Sequence, residues 1–211
     1  HGLREKALVA IDKTEFYPIK GKERLKSMIE TRPDWCVSRQ RVWGVPLPIF
    51  ISKKDEKVLV DEEVFNNIAK IFEKEGSDCW FEDNKQKFLG KKYNENDFYQ
   101  TTDIVEVWFD SGSTHSFVLE QREDLKWPAS LYLEGSDQHR GWFHSSLLES
   151  CGTRGEAPFE AILSHGFVVD GKGLKMSKSL GNVISPEEIL KKYGADILRI
   201  WVAASNYAED L

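Results

Sequence analysis

Cysteine and long apolar runs are scarce in this sequence of 211 residues, and each scarcity excludes a class of protein. The cysteines, Cys36, Cys79 and Cys151, are odd in number, lie far apart and form no C-x-x-C pair. This excludes a disulfide framework and a zinc knuckle, and we expect no protein-bound metal. No apolar stretch approaches the roughly 20 residues of a membrane helix, so we expect no membrane span. Few cysteines favour a reducing, cytoplasmic setting.

An excess of basic residues is also missing. Lysine and arginine number 29 against 35 aspartates and glutamates, which gives a formal net charge of −6. This balance excludes a free-standing basic nucleic-acid binder, so any nucleic-acid contact must be local. Aromatic residues make up 12% of the chain, enough to build a core. The length predicts one soluble globular domain plus a smaller piece.

The first hundred residues contain two helical patterns and a polar insertion. Residues 3–11 and 22–30 repeat apolar residues at helical spacing, and Pro33 ends the second pattern. Residues 52–98 are rich in charged side chains and contain one amphipathic helix that stops at Gly76. We expect this stretch to be an inserted subdomain. Neither terminus carries an initiating or closing signal, so we expect a piece of a longer polypeptide.

From Thr101 onward, strand and helix patterns alternate. Strands are predicted at 104–109, 131–133 and 162–169, with helices beginning near Asp137 and at Pro186 after the N-cap Ser185. Such alternation predicts an α/β fold with parallel strands and a ligand at their carboxyl ends. Gly194 is expected to end the helix from Pro186. A second helix follows, whose apolar face we expect to be core: Ile197, Leu198, Trp201 and Val202.

A basic loop follows the last predicted strand. Residues 171–182 contain Lys172, Lys175, Lys178, Ser177 and Ser179 between glycines. Ammonium groups on a mobile backbone can follow a polyphosphate as negative charge moves onto it, and hydroxyls add short donors. The alternative interpretation is a solvated surface loop.

A phosphate-binding P-loop is a further alternative for this region. Residues 166–172 fit the first seven positions of that motif, but Gly173 stands where a serine or threonine should bind magnesium. The match therefore fails, and Asp170 with Gly171 is more simply a tight turn.

A second polar cluster lies at the turn between the strand at 131–133 and the following helix. Glu134 and Asp137 are suited to accept hydrogen bonds from ribose hydroxyls, and Gly135 lets a ligand approach the backbone. Alternatively, Ser136 or Asp137 caps the helix, and we expect capping and ligand binding to occur together.

Two tryptophans and several polar residues elsewhere in the chain could each have a structural or a functional role. Trp142 is either core or the wall of a pocket at the sheet's carboxyl end, and Trp108 is a second wall candidate. Arg39 and Arg41 suit a phosphate or an ion pair. A hydrolase triad is weakly indicated because no G-x-S-x-G elbow frames a serine among Asp110, Ser111, Ser113 and His115. Phe143, Leu147 and Cys151 share a face that should be core.

Taken together, these segments resemble the class I aminoacyl-tRNA synthetases. The sequence KMSKS at 175–179 and GSDQ at 135–138 are similar to the two signatures of the second half of their catalytic domain. Residues 35–46 (WCVSRQRVWGVP), 107–113 (VWFDSGS) and 133–143 (LEGSDQHRGWF) resemble the bacterial isoleucyl-tRNA synthetase family. The resemblance covers almost the whole chain.

This resemblance implies a reaction and a set of site residues. Isoleucine would attack the α-phosphorus of ATP, bound with Mg²⁺, to give isoleucyl-adenylate, and tRNA(Ile) would take the acyl group. Lys175 and Lys178, with Ser177 and Ser179, would stabilise the departing pyrophosphate. ATP or the adenylate would be bound by Glu134, Gly135, Asp137, Gln138 and Lys178. The amino-acid pocket would be formed by Trp108, Trp142 and Gln138.

The resemblance also implies how the chain is divided. The family's His-Ile-Gly-His motif does not occur in the sequence, so the isolated chain is expected to be inactive and to need the remainder of the same polypeptide. A binding module for that remainder or for tRNA is the alternative function. The expected segments are 1–34 returning from an editing domain, 35–51 in the catalytic strand region, 52–98 as a connective insertion, 99–193 as the second half of a Rossmann-like domain, and 194–211 leading to an anticodon-binding domain.

Overall fold

The computed structural model describes residues 2–211, which form two compact units. One unit contains the residues up to Pro33 together with Ser111–Leu211, and the other contains Asp34–Asp110. The mixed α/β composition and the parallel sheet described below confirm the expected fold class. The five segment boundaries expected from the sequence stay predictions. None of the helices in residues 2–211 has both the length and the apolar character that a membrane span requires.

The helices and strands are numbered along the chain. The α-helices are α1 (Leu3–Lys13), α2 (Lys20–Glu30), α3 (Glu62–Glu75), α4 (Lys85–Leu89), α5 (Val107–Gly112), α6 (Trp142–Thr153), α7 (Pro186–Tyr193) and α8 (Ala195–Ala204). The strands are β1 (Glu15–Tyr17), β2 (Ser38–Arg39), β3 (Phe50–Ser52), β4 (Phe98–Gln100), β5 (Ile104–Val105), β6 (Tyr132–Gly135) and β7 (Ala161–His165). Short 3₁₀ turns span Ser77–Phe81, Glu95–Asp97 and Ser136–His139, and a π turn spans His115–Leu119.

A parallel three-stranded sheet organises the first unit. Its strand order is β1-β7-β6, and helix α6 connects β6 to β7, which makes a βαβ crossover. The central strand β7 is buried along most of its length, and Ile162 is completely covered. Strands buried on both faces read as continuous apolar runs, which is why the sequence predicted this strand.

The core of the first unit lies between this sheet and helices α1, α2 and α6. Phe143, Leu147 and Cys151 are fully buried on one face of α6, as their spacing predicted. The remaining members of this cluster are Ala7, Ala10, Ile11, Phe16, Leu25, Ile29, Tyr132, Leu148, Ala157, Phe159 and Ile162. Burial of these side chains is the main stabilising contribution to the sheet–helix packing.

The second unit has two antiparallel strand pairs, β2 with β5 and β3 with β4. Its core surrounds Trp80, which is fully buried and donates its indole N–H to the Thr101 carbonyl oxygen at 2.8 Å. Asp61 is the N-cap of helix α3, and its carboxylate accepts hydrogen bonds from two N–H groups of the first turn. The helix stops at the C-cap Gly76, as predicted. The Lys92 ammonium beside Asp61 holds the pKa of that carboxyl well below its usual range.

The predicted strand over 104–109 is wrong beyond Val105. Strand β5 contains only Ile104 and Val105, and the next residues form helix α5. The Glu106 carbonyl oxygen accepts the Phe109 N–H at 2.8 Å, which turns the chain into the helix. The predicted strand over 162–169 is likewise shorter, since β7 ends at His165. Val107 and Phe109 favour strands by propensity, but local turn formation overrides that preference here.

Of the two predictions for residues 185–202, the bounds of the first helix are confirmed and the burial of the second helix is not. Helix α7 begins at Pro186 after the N-cap Ser185 and ends at Gly194, as expected. The expectation that Ile197, Leu198, Trp201 and Val202 are core is wrong, because Trp201 is 42% and Val202 66% exposed and Leu198 is only partly covered. Periodicity identifies which residues share a helix face, and it carries no information on what covers that face.

Three histidines of the first unit are buried: His115, His139 and His144. Burial lowers the pKa of each below the ordinary value of 6.5, and for His144 to about 4. The Arg32 guanidinium adds to the lowering at His144. A buried imidazole therefore stays neutral at physiological pH because its charged form would lose hydration.

We predict that His144→Gln flattens the dependence of stability on pH. Because the folded-state pKa of His144 lies below the unfolded value, the unfolded chain binds more protons as the pH falls. The stability that neutral His144 contributes is thus complete above pH 6.5 and is lost progressively as the pH falls towards about 4. Urea unfolding should show a slope smaller than that of the parent by up to about 1.4 kcal/mol per pH unit in this window. Parallel curves for the two proteins would contradict the prediction, and measurements at pH 8 give the constant cost of the substitution.

Candidate active site

The lysine loop, residues 166–185, follows strand β7 and carries the 175–179 motif on the surface. Lys175 and Lys178 are exposed, and the Lys175 ammonium lies 4.9 Å from the centre of the Phe167 ring. The Ser177 and Ser179 hydroxyl oxygens are 3.1 Å apart, and Ser177 Oγ accepts the Leu180 N–H at 3.2 Å. The hydroxyls thus shape the loop while the ammonium groups remain accessible, which is the arrangement an incoming phosphate requires.

The beginning of the lysine loop pairs with the last residues of the chain. The Gly166 N–H donates to the Tyr207 carbonyl oxygen at 2.9 Å, and the Val169 N–H donates to the Leu211 carbonyl oxygen at 2.7 Å. A side chain at Gly166 would collide with the backbone of Glu209. Nothing in the sequence pattern indicated this pairing, because it is a backbone contact between segments some 40 residues apart.

The P-loop alternative is excluded by the local structure. Asp170 and Leu174 close a tight turn, since the Asp170 N–H donates to the Leu174 carbonyl oxygen at 2.9 Å. Gly173 occupies this turn with a φ of 74°, a left-handed conformation that favours glycine. A P-loop leads directly into a helix, whereas the next helix here, α7, begins only at Pro186. The tight-turn interpretation of Asp170 and Gly171 is confirmed.

The second cluster lies at the carboxyl end of β6, where Gly135 leads into the 3₁₀ turn Ser136–His139. The expectation that Ser136 or Asp137 caps the helix is wrong. Instead, Gln138 Oε1 accepts the Trp142 N–H at 2.9 Å and Gln138 Nε2 donates to Asp137 Oδ2 at 2.9 Å. The helix expected from near Asp137 therefore begins only at Trp142, because the chain first turns through the 3₁₀ geometry of Ser136–His139. The side chain that reaches the first N–H group of α6 comes from Gln138, three residues before the N-cap position Gly141.

The parallel sheet brings the two clusters to one edge. Gly135 pairs with His165, so β6 and β7 end side by side. A Cβ atom on Gly135 would lie 3.7 Å from the Phe167 ring, and the Lys175 ammonium lies 4.9 Å from the centre of the same ring. Phe167, in the lysine loop, therefore lies beside residues 135–138, which we call the glycine turn. Sequence reasoning missed Phe167 and His165, although their positions at the end of a predicted parallel strand were a usable signal.

Acidic and amide groups face solvent at this edge. Glu134 and Asp137 are exposed, and Glu134 Oε2 accepts the Gly135 N–H at 3.2 Å. Carboxylate oxygens can accept further hydrogen bonds, since each carries more than one lone pair. The edge thus combines hydrogen-bond acceptors at β6 with cations beyond β7, which suits a ligand that carries both hydroxyls and phosphates.

Trp142 packs against the core, which is one of the two roles left open by the sequence, and its role as a pocket wall stays a prediction. Its ring stacks on Tyr132 with centroids 4.1 Å apart, it packs against the core cluster, and its indole N–H donates to the Ser111 carbonyl oxygen at 2.8 Å. The side chain nevertheless stays partly exposed. Stacking and the hydrogen bond fix its orientation, so any wall it forms is rigid.

Trp108 lies in the second unit, on helix α5 rather than on the predicted strand. Trp108 is 42% exposed, and its backbone N–H donates to Glu106 Oε2 at 3.1 Å. In the same unit, Arg39 lies 4.0 Å from the buried Glu106 carboxylate, which supports the ion-pair interpretation of that arginine. Arg41 is exposed.

A hydrolase triad gains no support from the structure. The His115 ring is buried, and its Nδ1 lies 3.0 Å from the Gly112 carbonyl oxygen. Burial also lowers the pKa of His115. An imidazole held against the backbone in this way is not presented to a serine hydroxyl as a general base. Within residues 2–211, no group of three or more His, Cys, Asp or Glu side chains is placed to hold a metal ion.

Comparisons with known proteins identify relatives over the whole length of the chain. A family model described as tRNA synthetases class I (I, L, M and V) matches residues 1–211. An isoleucine–tRNA ligase of Pelagibacter ubique is 78% identical over 211 residues, which are all of this chain and 23% of that protein. An isoleucine–tRNA ligase of Brucella abortus is 58% identical over 209 residues, 99% of this chain and 21% of that protein.

Two solved structures share the fold. A leucyl synthetase of Agrobacterium radiobacter K84, in a ternary complex with tRNA, matches with a TM-score of 0.57 and 20% identity, over 85% of this chain and 25% of that one. A methionyl-tRNA synthetase of Mycobacterium tuberculosis bound by methionyl-adenylate matches with a TM-score of 0.57 and 18% identity, over 98% of this chain and 32% of that one. The chain spans about a quarter of the length of the curated relatives it matches. By the match over its whole length, the chain belongs to the class I tRNA synthetases of the isoleucine, leucine, methionine and valine group.

Proposed function

We propose that these residues form the second half of the catalytic domain of an isoleucyl-tRNA synthetase. The reaction is ATP-dependent activation of isoleucine to isoleucyl-adenylate, followed by transfer to tRNA(Ile). One observation carries the proposal: the 135–138 turn and the loop with the 175–179 lysine motif follow the carboxyl ends of two neighbouring parallel strands, and Gly135 and Lys175 both lie beside Phe167. The 78% identity to an isoleucine–tRNA ligase supports the choice of amino acid.

Adenylate formation needs no enzyme nucleophile. The isoleucine carboxylate attacks the α-phosphorus of ATP, a new carboxyl–phosphate bond forms, and pyrophosphate leaves with the electron pair of the broken bond. Catalysis then depends on positioning and on stabilisation of the charge that moves to pyrophosphate. Lys175 and Lys178 supply that stabilisation, and Ser177 and Ser179 shape the loop that carries them. Mg²⁺ enters with ATP as part of the substrate complex.

The glycine turn binds the nucleoside and the amino acid. Glu134 and Asp137 accept hydrogen bonds from the ribose hydroxyls, and Gly135 allows the ribose to approach the backbone. The Gln138 amide oxygen accepts from the substrate ammonium and from the Trp142 N–H, since an amide oxygen has two lone pairs. Trp142 offers a broad apolar surface to the branched isoleucine side chain. The resemblance of residues 107–113 to the family assigns the same role to Trp108.

The remainder of the polypeptide completes the enzyme. The first catalytic half supplies the His-Ile-Gly-His motif, and further regions edit misactivated amino acids and read the anticodon. The chain alone is therefore inactive. We place the enzyme in the cytoplasm, and the free state of Cys36, Cys79 and Cys151 is consistent with a reducing compartment.

The proposal is tested by amino-acid-dependent exchange of pyrophosphate into ATP. The full-length polypeptide that carries these residues is assayed with each standard amino acid, and the isolated chain is assayed alongside. We expect isoleucine to give the highest rate, valine to follow because one methylene discriminates only modestly, and the isolated chain to be inactive. If no amino acid supports exchange in the full-length protein, the proposed function is wrong.

Lys178→Ala in the full-length protein should lower the single-turnover rate of adenylate formation by about 10²-fold, because the transition state loses a charge partner. The matched control is Lys191→Ala, which removes an exposed lysine from the last turn of α7. The control should keep the parent rate. An unchanged rate in Lys178→Ala would remove Lys178 from the mechanism.

Gly135→Ala should raise the KM for ATP by about 10-fold, the cost of one charged hydrogen bond, with little change in melting temperature. The added Cβ would lie 2.7 Å from Asp137 Oδ1, so this carboxylate must move away from its ribose-binding position. Since Asp137 is an exposed side chain, the fold tolerates the movement. Gly152→Ala is the control, because its Cβ meets only Leu3 at an ordinary 3.7 Å. Equal KM values for the two variants would contradict the assignment of Gly135 and Asp137.

A further inference from the structure

Asn182 connects three points of the lysine loop through one side-chain amide. Its Oδ1 accepts the Ser177 N–H at 2.9 Å. Its Nδ2 donates to the Lys175 carbonyl oxygen at 3.3 Å and to Asp170 Oδ2 at 2.9 Å. The amide thus holds the backbone on both sides of Met176, between the two lysines of the motif.

Asp170 determines which way the Asn182 amide points. Its other oxygen, Oδ1, accepts the Lys172 and Leu174 N–H groups, both at 2.9 Å. The hydrogen bond from Asn182 and those two N–H groups lower the pKa of Asp170, so its carboxylate stays charged and can only accept. The Asn182 NH₂ group must therefore face Asp170, and its carbonyl oxygen must face Ser177.

The two side chains leave the lysine side chains themselves exposed. Lys175 and Lys178 are exposed, and the Gly181 N–H closes the turn on the Lys178 carbonyl oxygen at 3.3 Å. The hydrogen bonds of Asn182 fix the backbone from which the two ammonium groups extend. An unbraced loop of glycines and lysines would occupy many shapes, and only a fraction of them would present both cations to one pyrophosphate.

We propose that Asn182, oriented by Asp170, is a positioning residue for adenylate formation. It acts through the backbone of Lys175 and Ser177 and holds the loop in the shape that presents Lys175 and Lys178 to the leaving pyrophosphate. This inference rests on the proposed function. It assigns neither Asn182 nor Asp170 a contact with substrate.

The test uses four variants of the full-length polypeptide: Asn182→Ala, Asn182→Asp, Asp170→Asn, and the exchange of the two residues, Asp170→Asn with Asn182→Asp. Each single variant should lower the single-turnover rate of adenylate formation by about 10-fold, because the loop spends less time in the productive shape. The KM for isoleucine and the melting temperature should stay at the parent values, since the loop is exposed and distinct from the amino-acid pocket.

The exchanged pair provides the rescue. An asparagine at 170 can still accept from Lys172 and Leu174 and can donate to an aspartate at 182, which still accepts from Ser177. The link between the two residues is then restored with its polarity reversed, and only the bond to the Lys175 carbonyl oxygen is lost. We expect the double variant to recover to within about 3-fold of the parent rate, a non-additivity that residues coupled through one contact show.

Hydrogen–deuterium exchange gives a readout that does not depend on activity. In Asn182→Ala, the peptide covering residues 172–184 should exchange faster than in the parent, because the Ser177 N–H loses its acceptor. The matched control is Asn94→Ala, which removes an asparagine that caps a short turn in the other unit. The control should change neither exchange in this peptide nor the adenylation rate.

Three results would overturn the inference: a parent-like adenylation rate in Asn182→Ala, a rate loss matched by equal losses of isoleucine binding and melting temperature, or no rescue in the exchanged pair. If the parent itself shows no isoleucine-dependent pyrophosphate exchange, the proposed function fails and the catalytic part of the inference falls with it. Deuterium exchange then tests whether Asn182 holds the backbone of the lysine loop. Faster exchange in Asn182→Ala supports this structural role, and unchanged exchange overturns it.

Discussion

The pairing of β6 with β7 is the constraint on which the rest of the site depends. Each strand leads into one of the two motifs of the proposed site, and the register that sets Gly135 opposite His165 brings the ends of both strands to one edge. A shift by a single residue would move every side chain of β7 to the other face, so Ile162 would leave the core and Phe167 would no longer lie beside Gly135. Helix α6 makes that shift unfavourable, because Phe143 and Leu147 bury their side chains in the same cluster as Ile162. The apolar core therefore fixes the geometry of the polar edge.

The helix ends at Gly76 and Gly194 and the start at Pro186 were predictable because the interactions that set them are local, whereas the start of α6 was predicted five residues too early. Asp61 accepts N–H groups two and three residues onward, and Gly76 and Gly194 end their helices with φ values of 81°. Strand boundaries were less predictable, since a short apolar run can continue a strand or begin a helix. Residues 107–109 have the composition of a strand but lie in α5, because the Glu106 carbonyl oxygen captures the Phe109 N–H. Such a turn depends on backbone geometry that alternation of apolar residues does not encode.

The candidate site divides in the same way. Its charged and glycine residues were predictable from motif chemistry, whereas the contacts that hold them were not. The cap on α6 comes from Gln138 rather than from Ser136 or Asp137, because a 3₁₀ turn separates β6 from the helix. Phe167 and Asn182 were not predicted as site residues, because neither residue type in a loop after a strand indicates by itself which contact it makes. Only the three-dimensional structure shows that one contacts Lys175 and that the other spans the loop.

The site combines fixed groups on β6 and at Trp142 with the exposed ammonium groups of Lys175 and Lys178. The chemistry proposed for this site gives a physical reason for the combination. A reaction without an enzyme nucleophile gains its rate from charge that is already in place when negative charge develops on the leaving group. Ribose and amino acid keep their positions through the reaction, so their partners are best built on β6 and on the fixed Trp142 ring. Pyrophosphate moves away, so its partners must extend from a loop whose backbone is set while its side chains stay free. Asp170 and Asn182 fix the backbone of the loop, and the side chains of Lys175 and Lys178 stay exposed. Groups at this one sheet edge can therefore hold the ribose and the amino acid in place, while the lysine side chains stay in contact with the departing pyrophosphate.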